Sequence, residues 1–483
     1  MSPFDKARYE RLLEGLEVTE VLLSEVAHDN EVLRCDAEYF GRQVTEVMRR
    51  LQSMKAVLLG QMAVITDGIH TALPFVDGGE IKVLSAKHPK DNYIDSGPFE
   101  TISTDFHNKN PRTALRPLDV LISTVGTIGN AAVVTPDILP ANSDRHIGII
   151  RVKRDGPPPF FLSTFLVCRY GRSQSVRETT GNVQPNLFIS KIRRLLIPRF
   201  DPSFERAIAD QVERAYWLRK QAAGILERAD HNLLQALGLD TWTPPEALSY
   251  VRSSSDVFAA GRLDAEHFQP RFAALATLMA AKGNCERLGD QLLFNSRGRQ
   301  PEYADVGLPV INSKHVLRNE IRHDEDNRLA AADDDSLLIR TGDVLMNGTG
   351  VGTIGRAAAY LHETPALPDN HVTILRPKYA LDPIYLAIFL NSLAGQLQVE
   401  QRLRGSSGQI EIYPTDIAEF QVWVAPQSLQ LDIRKLVEQS FAHRQRAARL
   451  LDAAKRAVEI AIEDSEAAAL AYLAAANPPD AVT

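Results

Sequence analysis

The chain is poor in cysteine, and the few cysteines it has are far apart. Cys35, Cys168 and Cys285 are the three among 483 residues, and no two of them have the CxxC spacing of a metal or redox site. A disulfide framework and a structural zinc site both need more cysteines, placed closer together. We therefore expect a reducing compartment and no bound zinc.

Long apolar runs and a signal sequence are missing too. No run of 18 or more apolar residues appears, and the first residues do not have the pattern of a secretory signal. The hydrophobic fraction of 44% is ordinary for a globular protein, so each half of the chain can bury its own core. We expect a cytoplasmic protein.

The chain also lacks a net positive charge. Its formal charge of −7 argues weakly against a nucleic-acid ligand, but local patches matter more than the sum. Residues 145–199 contain only two acidic residues, Asp155 and Glu178, and this stretch favours an anionic ligand over a merely solvated face. Its eleven basic residues are Arg145, Arg151, Lys153, Arg154, Arg169, Arg172, Arg177, Lys191, Arg193, Arg194 and Arg199.

A long internal repeat sets the architecture. Residues 34–40 (RCDAEYF) return as 262–268 (RLDAEHF), and residues 126–129 (GTIG) return as 352–355. Further pairs, such as His146 with His371, keep nearly the same offset through both halves. A repeat of this length indicates two duplicated domains rather than short solenoid units.

Each half ends in a long helix. The first is predicted from about Ser203 to Leu237, and the second from just after Pro426 to beyond Ile460. Their apolar residues recur every three or four positions, which is typical of a coiled-coil seam. Each seam needs a partner, so we expect the two helices to pair antiparallel. Residues 4–16 resemble the end of the central helix, and we expect them to dock near Val458.

The predicted fold class is mixed α+β. It has two homologous globular domains joined by a pair of long antiparallel coiled-coil helices, with near two-fold symmetry. The predicted segments are an N-terminal helix and lead-in (1–33), a first globular domain (34–202), the central helix (203–238), a linker (239–261), a second globular domain (262–426), the C-terminal helix (427–475) and a tail (476–483).

The strongest local signal is a buried strand that runs into a glycine-rich turn, once in each half. In the second half, Gly350, Gly352 and Gly355 fit the GxGxxG pattern of a dinucleotide site. Thr124 replaces the first glycine in the other half, and no acidic residue follows at the ribose-binding distance. A tight turn that brings amides and hydroxyls close to a phosphate backbone is the better interpretation. A turn that only bends the chain stays open as the structural alternative.

A second signal is the loop GSSGQ that begins at Gly405. It continues through Glu411, and residues 181–186 echo it weakly. Glycine and serine predict a mobile loop, and Gln409 or Glu411 could read base edges in the major groove. Arg402 and Arg404 lie just before it and could hold phosphates. An ordinary loop leading into a strand is the alternative.

Three motifs point to catalysis or metal binding but lack support. Residues 477–480 (NPPD) resemble an amino-methyltransferase motif without its aromatic residue. Asp67, Glu80 and Lys82 have nuclease spacing, yet the duplicated half does not repeat it. The recurring histidines have no ligand cluster around them and are better read as structural.

Together these motifs resemble the specificity subunit of type I restriction-modification systems. The matching residues are 262–268, the strand entering the turn at 348–355, the strand beginning at Asn370, and 405–409. The resemblance covers nearly the whole chain. It implies two target recognition domains that each read one half of an asymmetric, bipartite DNA site, with the helices as spacer.

The resemblance also implies partners. It predicts a non-catalytic subunit bound to double-stranded DNA, two methyltransferase subunits and restriction/translocase subunits. S-adenosylmethionine, ATP and Mg would then belong to those partners, with no cofactor or metal in this chain. A specificity module of another bacterial defence methyltransferase assembly is the first alternative. A nucleotide-binding enzyme that uses the Gly350–Gly355 turn is a more distant one.

The residues predicted to face DNA share a position in or beside the two turns and loops. They are Lys87, Ser123, Thr124, Thr127, Gln184, Lys314, Asn347, Thr349, Thr353, Arg402, Arg404 and Gln409.

Overall fold

The computed structural model describes residues 5–15, 19–28, 34, 36–95, 97, 99–181, 184–323, 327–331, 335–405 and 410–476. They form two units. The first combines Met1–Arg219 with Arg444–Thr483, and the second is Lys220–His443. The division falls inside both long helices, whereas the sequence had suggested that each helix is a separate segment.

The helices of the described residues are α1 (Lys6–Leu13), α2 (Leu23–His28), α3 (Arg42–Gln52), α4 (Leu59–Met62), α5 (Thr104–Lys109), α6 (Pro159–Val167), α7 (Arg169–Arg177), α8 (Ile189–Ile192), α9 (Pro202–Leu237), α10 (Ser254–Ala260), α11 (Pro270–Lys282), α12 (Pro383–Asn391), α13 (Leu393–Arg402), α14 (Pro414–Ala418), α15 (Gln427–Glu463) and α16 (Glu466–Ala476). None of these helices is long and apolar enough to cross a bilayer.

The strands of the first unit are β1 (Ala56–Leu58), β2 (Ala63–Asp67), β3 (Ile81–Leu84), β4 (Glu100–Ile102), β5 (Val120–Ser123), β6 (Ala131–Val133), β7 (Ala141–Ser143), β8 (Ile147–Val152) and β9 (Leu196–Pro198). Those of the second unit are β10 (Cys285–Arg287), β11 (Leu292–Arg297), β12 (Tyr303–Ala304), β13 (Leu308–Ile311), β14 (Val316–Leu317), β15 (Glu320–Ile321), β16 (Leu329–Ala330), β17 (Val344–Asn347), β18 (Ala357–Ala359), β19 (Leu367–Pro368), β20 (Val372–Pro377) and β21 (Gln421–Trp423).

The first unit is built on a four-stranded antiparallel sheet in the order β2-β8-β5-β6. All four residues of β5 are buried, because the sheet is covered on both faces. Val120 and Ile122 pack with the α6 side chains, including Phe165. Leu121 points the other way and packs with Leu84 of the three-stranded sheet β4-β3-β7. Successive side chains of a strand point to opposite faces, and both faces of β5 are buried. This strand is therefore apolar at almost every position.

The second unit repeats this plan. Its main sheet has the order β11-β20-β17-β18, and β13 pairs with β19 in parallel, as β3 pairs with β7. Val344 and Met346 share a core with Phe389 of α12, while Leu345 packs with Ile311 on the opposite face. The repeat read from the sequence is thus a repeat of fold, and both predicted strands before the glycine turns are confirmed.

The two long helices pack antiparallel in each unit. In the first unit, Phe204 and Val212 of α9 share a core with Val458 of α15. In the second unit, Leu233 near the end of α9 shares a core with Ile433 near the start of α15. Small seam residues allow close approach in the second unit. Here Ser440 Oγ donates to the main-chain oxygen of Ala222 at 2.8 Å.

The expected docking of residues 4–16 near Val458 stays a prediction, because part of this segment lies outside the described residues. In α1, the side chain of Leu12 is 66% exposed. The core that contains Val458 also includes Leu51 of α3 and Leu473 of α16. The C-terminal helix is also not continuous to 475, because Ser465 caps a new helix by accepting from the amide of Ala468 at 3.2 Å. Ala469 and Leu473 of α16 belong to the same core as Val458.

Candidate nucleic-acid interface

The arginine of the repeated RxDAE motif clamps the end of a helix. In the second unit, Arg262 donates to the main-chain oxygen of Leu403, just after α13, at 2.9 Å. It also forms a two-point ion pair with Asp264, at 2.6 and 2.8 Å. The hydrogen bond from Arg262 holds the pKa of Asp264 below its usual value. The motif therefore fixes the base of the loop that begins at Gly405.

The first unit contains the same clamp. Arg34 donates to the main-chain oxygen of Thr179, two residues beyond α7, at 2.7 Å and pairs with Asp36. In both units the clamp acts on the helix end from which the candidate loop leaves. Arginine suits this role because its planar fork can bond a carboxylate and a carbonyl at once. The motif is thus part of the frame of the site.

The turn of the first unit is held down by its own hydroxyl groups. Ser123 at the end of β5 is buried, and its Oγ donates to the main-chain oxygen of Ala86 at 2.9 Å. Thr127 Oγ1 donates to the same oxygen at 3.3 Å. Gly126 has φ = 73°, a conformation that favours glycine. These contacts tie the turn to the segment that contains Lys87.

The turn of the second unit is built the same way from different residues. Asn347 takes the place of Ser123, and its Nδ2 donates to the main-chain oxygens of Ser313 and Val316, at 3.0 and 3.1 Å. Thr353 Oγ1 donates to the main-chain oxygen of Thr349 at 3.1 Å. The turn again lies beside a lysine-bearing segment, here Lys314.

The chain beyond this turn excludes the dinucleotide interpretation. After Gly355 the chain forms β18, which pairs antiparallel with β17. A dinucleotide site needs a helix whose amino end points at the pyrophosphate, followed by a parallel strand. Here the glycines allow a tight hairpin, with Gly350 at φ = 96°.

Three of the predicted DNA-facing side chains are buried. Ser123, Thr124 and Asn347 are almost without exposed surface, so they support the turns and do not reach a ligand directly in this structure. Arg402 is also largely buried, with its guanidinium 5.4 Å from the ring centre of Phe420. Burial lowers the pKa of Arg402. Arg402 thus packs against an aromatic ring, and its predicted phosphate contact stays a prediction.

The other candidates lie at or near the surface. Thr349 and Thr353 are half-buried, and Gln409 lies outside the described residues. Arg404 is exposed but forms a two-point ion pair with Asp416, with the shortest contact at 2.6 Å. The exposed candidates are Lys87, Thr127, Gln184, Lys314 and Arg404.

The structure adds a cluster beside the second turn that the sequence did not reveal. Arg297, at the end of β11, donates to the main-chain oxygen of Gly348 at 3.2 Å and pairs with Glu411 at 3.4 Å. The Tyr413 hydroxyl donates to Glu411, which is the main reason that the pKa of this carboxyl lies below its usual value. His371 Nδ1 lies 2.7 Å from Thr349 Oγ1. The cluster thus borders the turn directly.

A different cluster occupies the corresponding strand end in the first unit. Asp67, the last residue of β2, accepts from Arg112 at 2.7 Å and lies 2.5 Å from His70 Nε2. Burial raises the pKa of Asp67, but the hydrogen bonds from Arg112 and His70 outweigh burial and leave it below its usual value.

Glu80 and Lys82, which have nuclease spacing to Asp67 in the sequence, bond other groups in the structure. Lys82 donates to the main-chain oxygen of Asp137 at 2.9 Å, and Glu80 accepts from Thr104 at 3.2 Å. Across the part of the chain that the structure describes, no group of three His, Cys, Asp or Glu side chains is placed to hold a metal ion.

The basic stretch 145–199 is not a continuous anionic-ligand surface. Among the described residues, at least six of its eleven cations form ion pairs within the unit, namely Arg151, Arg169, Arg172, Arg177, Lys191 and Arg199. For example, Arg151 pairs with the buried Asp119, and Arg199 pairs with Glu205 at the start of α9. The charge of this stretch mainly stabilises the fold.

Comparison with known proteins gives a partial sequence match. No protein-family model matches the chain. The type I restriction enzyme EcoKI specificity subunit of Escherichia coli K12 is 30% identical over 161 residues, which cover 31% of this chain. The match spans 34% of that subunit, about a third of its length.

Solved structures of low sequence identity align over most of the chain. The type I restriction-modification S subunit from M. genitalium is 12% identical, with a TM-score of 0.35 over 88% of this chain and 97% of that one. The HsdS subunit from Thermoanaerobacter tengcongensis is 18% identical, with a TM-score of 0.26 over 87% and 95%. The resemblance drawn from the repeated motifs is supported by the sequence match: this chain is similar to the specificity subunits of type I restriction-modification enzymes.

Proposed function

We propose that this chain recognises a bipartite, asymmetric DNA sequence and directs methyltransferase and restriction subunits to it. One observation carries the proposal. Each unit has its own four-stranded sheet, and both sheets carry the same turn at the same place. Different side chains surround the turn in the two units. A conserved frame with divergent polar side chains suits two readers of unlike half-sites.

The chemistry of the two turns suits a DNA ligand. Each turn lies beside an exposed lysine, Lys87 or Lys314, which can neutralise a phosphate. The hydroxyl groups of Thr127 and Thr349 already bond Ala86 and His371, but their oxygens can still accept from base amino groups. The charged side chains at the ends of β2 and β11 supply donors and acceptors of the kind that read base edges.

The proposal assigns no reaction to this chain. The matched relative is named a specificity subunit, and the methyl transfer and DNA cleavage would belong to other subunits. Two methyltransferase subunits and restriction/translocase subunits are the proposed partners. S-adenosylmethionine, ATP and Mg would bind to those partners.

The decisive experiment is to express the chain in a host with and without its methyltransferase partner and to sequence the modified bases. We expect methylation at one bipartite, asymmetric sequence only when both proteins are present. Methylation by the partner alone at the same sequence would contradict the proposal. ATP and NAD should leave the melting temperature of the isolated chain unchanged, whereas the nucleotide-binding alternative requires it to rise.

A further inference from the structure

Asp67 and Arg297 occupy the same place in the two units and carry opposite charges. Asp67 pairs across the sheet with Gly148, the second residue of β8. Arg297 pairs with Thr373, the second residue of β20. Because β8 and β20 are equivalent strands of the repeat, the two positions are equivalent in register.

The glycine that follows each residue confirms the equivalence. A Cβ added to Gly68 would come 1.9 Å from the main-chain oxygen of Asp144, and one added to Gly298 would come 2.2 Å from that of Asp369. Side chains of ordinary size cannot be accommodated at such distances. The backbone therefore passes equally close to a neighbouring segment at both sites. The residue before the glycine differs, being Asp67 in one unit and Arg297 in the other.

The charge of Asp67 or Arg297 decides whether its more exposed ion-pair partner is a cation or a carboxylate. In the first unit, Asp67 is mostly covered, and the exposed member of its ion pair is a cation, Arg112, at 59% exposure against 29%. In the second unit, Arg297 is mostly covered at 20%, and the more exposed member is the carboxylate of Glu411 at 36%. The more exposed member of the ion pair is thus positive in the first unit and negative in the second.

Main-chain contacts hold both outward groups in position. Arg151 donates to the main-chain oxygen of Arg112 at 3.2 Å and is itself fixed by Asp119. Glu411 exchanges two main-chain hydrogen bonds with Arg404, each 2.9 Å long. These contacts fix the backbone, and the ion pairs with Asp67 and Arg297 restrain the two side chains, so each loses less conformational freedom on binding and can discriminate between ligands.

We propose that this reversed pair determines one base in each half-site. Arg112 offers only donors and reads the O6 and N7 acceptors of a guanine. The carboxylate of Glu411 offers only acceptors and reads a base amino group, namely N4 of cytosine or N6 of adenine. The inference rests on the proposed function and specifies the hydrogen-bonding sense of each unit.

The test uses the full chain, expressed with its methyltransferase partner, and reads the methylated sequences of the host DNA. Arg112→Ala should relax one guanine position in one half-site, and Glu411→Gln should relax one position in the other half-site. A good bidentate contact corresponds to roughly 5- to 150-fold discrimination, so methylation of sites altered at that position should rise by that factor. The double variant should relax both positions.

Matched variants control for general effects of charge. Lys109→Ala removes an exposed cation that pairs with Asp105, and Glu419→Gln neutralises an exposed carboxylate that pairs with Arg287. Both should leave the sequence preference unchanged. Melting temperatures check folding, and the milder Arg112→Lys and Glu411→Asp should show the same relaxation in weaker form.

The outcomes separate the inference from the proposed function. If the wild-type chain directs no sequence-specific methylation, the proposed function itself fails. If the wild type gives a bipartite sequence but the variants leave both half-sites unchanged, or weaken all sites uniformly, only the inference is overturned. Relaxation of two positions within the same half-site would also overturn it.

Discussion

Arg262 donates to the main-chain oxygen of Leu403 across 141 residues of sequence, at 2.9 Å. Arg34 makes the same contact with Thr179 in the first unit. The repeated motif that dominates the sequence is therefore a clamp on the helix end beside each candidate loop.

Removal of the clamp should destabilise the second unit. Arg262→Ala leaves Asp264 without its partner and Leu403 without a charged donor, so we expect a loss of about 1.5–3 kcal/mol in the free energy of unfolding. The measurement is urea unfolding, with limited proteolysis to follow the chain after Leu403. Arg287→Ala removes an exposed ion pair with Glu419 and should lower the free energy of unfolding much less, because solvent screens that pair. An equal loss of unfolding free energy in the two variants would contradict a stabilising role for Arg262.

The clamp should also weaken in acid. Because the hydrogen bond from Arg262 lowers the pKa of Asp264 from 3.8, the folded chain binds fewer protons than the unfolded chain near that pH. This stabilisation is complete above the unfolded pKa and is lost as the pH falls through the lower, folded value. Asp264→Asn should therefore cost under about 1 kcal/mol near neutral pH, because the carboxylate is partly exposed.

Urea midpoints measured from neutral pH down to about pH 3.5 test this. The curves of the wild type and of Asp264→Asn should converge toward the acid end. A gap that stays constant over the whole range would show that the charge of Asp264 contributes nothing.

The helix pair should depend strongly on its seam. Leu233 of α9 is buried in the core of the second unit, so Leu233→Ala should lower the free energy of unfolding by about 2–5 kcal/mol. Leu431 of α15 is 42% exposed, and Leu431→Ala should change it by no more than about 0.5 kcal/mol. Chemical unfolding of both variants measures the difference. Similar midpoints would mean that the seam does not carry the stability of this unit.

The second turn should tolerate no side chain at Gly350. Its φ of 96° disfavours any other residue by about 1–2 kcal/mol, and an added Cβ would come 2.5 Å from Thr353 Oγ1. Gly350→Ala should therefore reshape the turn and reduce target methylation in the full complex. The measurements are methylation and melting temperature.

A helical glycine provides the matched control for Gly350. Gly224 lies within α9, and an added Cβ would meet no atom within 4 Å. Gly224→Ala should stabilise the chain by about 0.5–1 kcal/mol and leave methylation intact. Loss of methylation in both variants would argue against a specific role for the turn.

Much of the frame could be predicted because the duplication shows each pattern twice. The strands β5 and β17 and the helices α9 and α15 all follow from local apolar spacing. The break before α16 could not be predicted, because the apolar pattern continues through residues 466–476. The cap at Ser465 and the packing of Leu473 depend on tertiary contacts.

The candidate site was less accessible to sequence reasoning. Arg402 looks like an exposed cation at the end of a helix, and only the fold brings the ring of Phe420 against it. Asp67 and Arg297 share only the glycine that follows each of them, so their equivalence becomes clear only when the strand register is known. Ser123 and Asn347 were correctly placed at the turns, but the sequence could not show that both point inward.

The first unit is assembled from two distant stretches of chain, and this has a consequence for its synthesis. Ala454, Val458 and Leu473 belong to the same core as Phe204 and Val212. While the ribosome is still making residues before 444, the emerging chain exposes the apolar face of α9 that those side chains cover. The amino-terminal unit can complete its fold only after the last helices have been translated, so a premature stop near residue 444 would impair the unit encoded first.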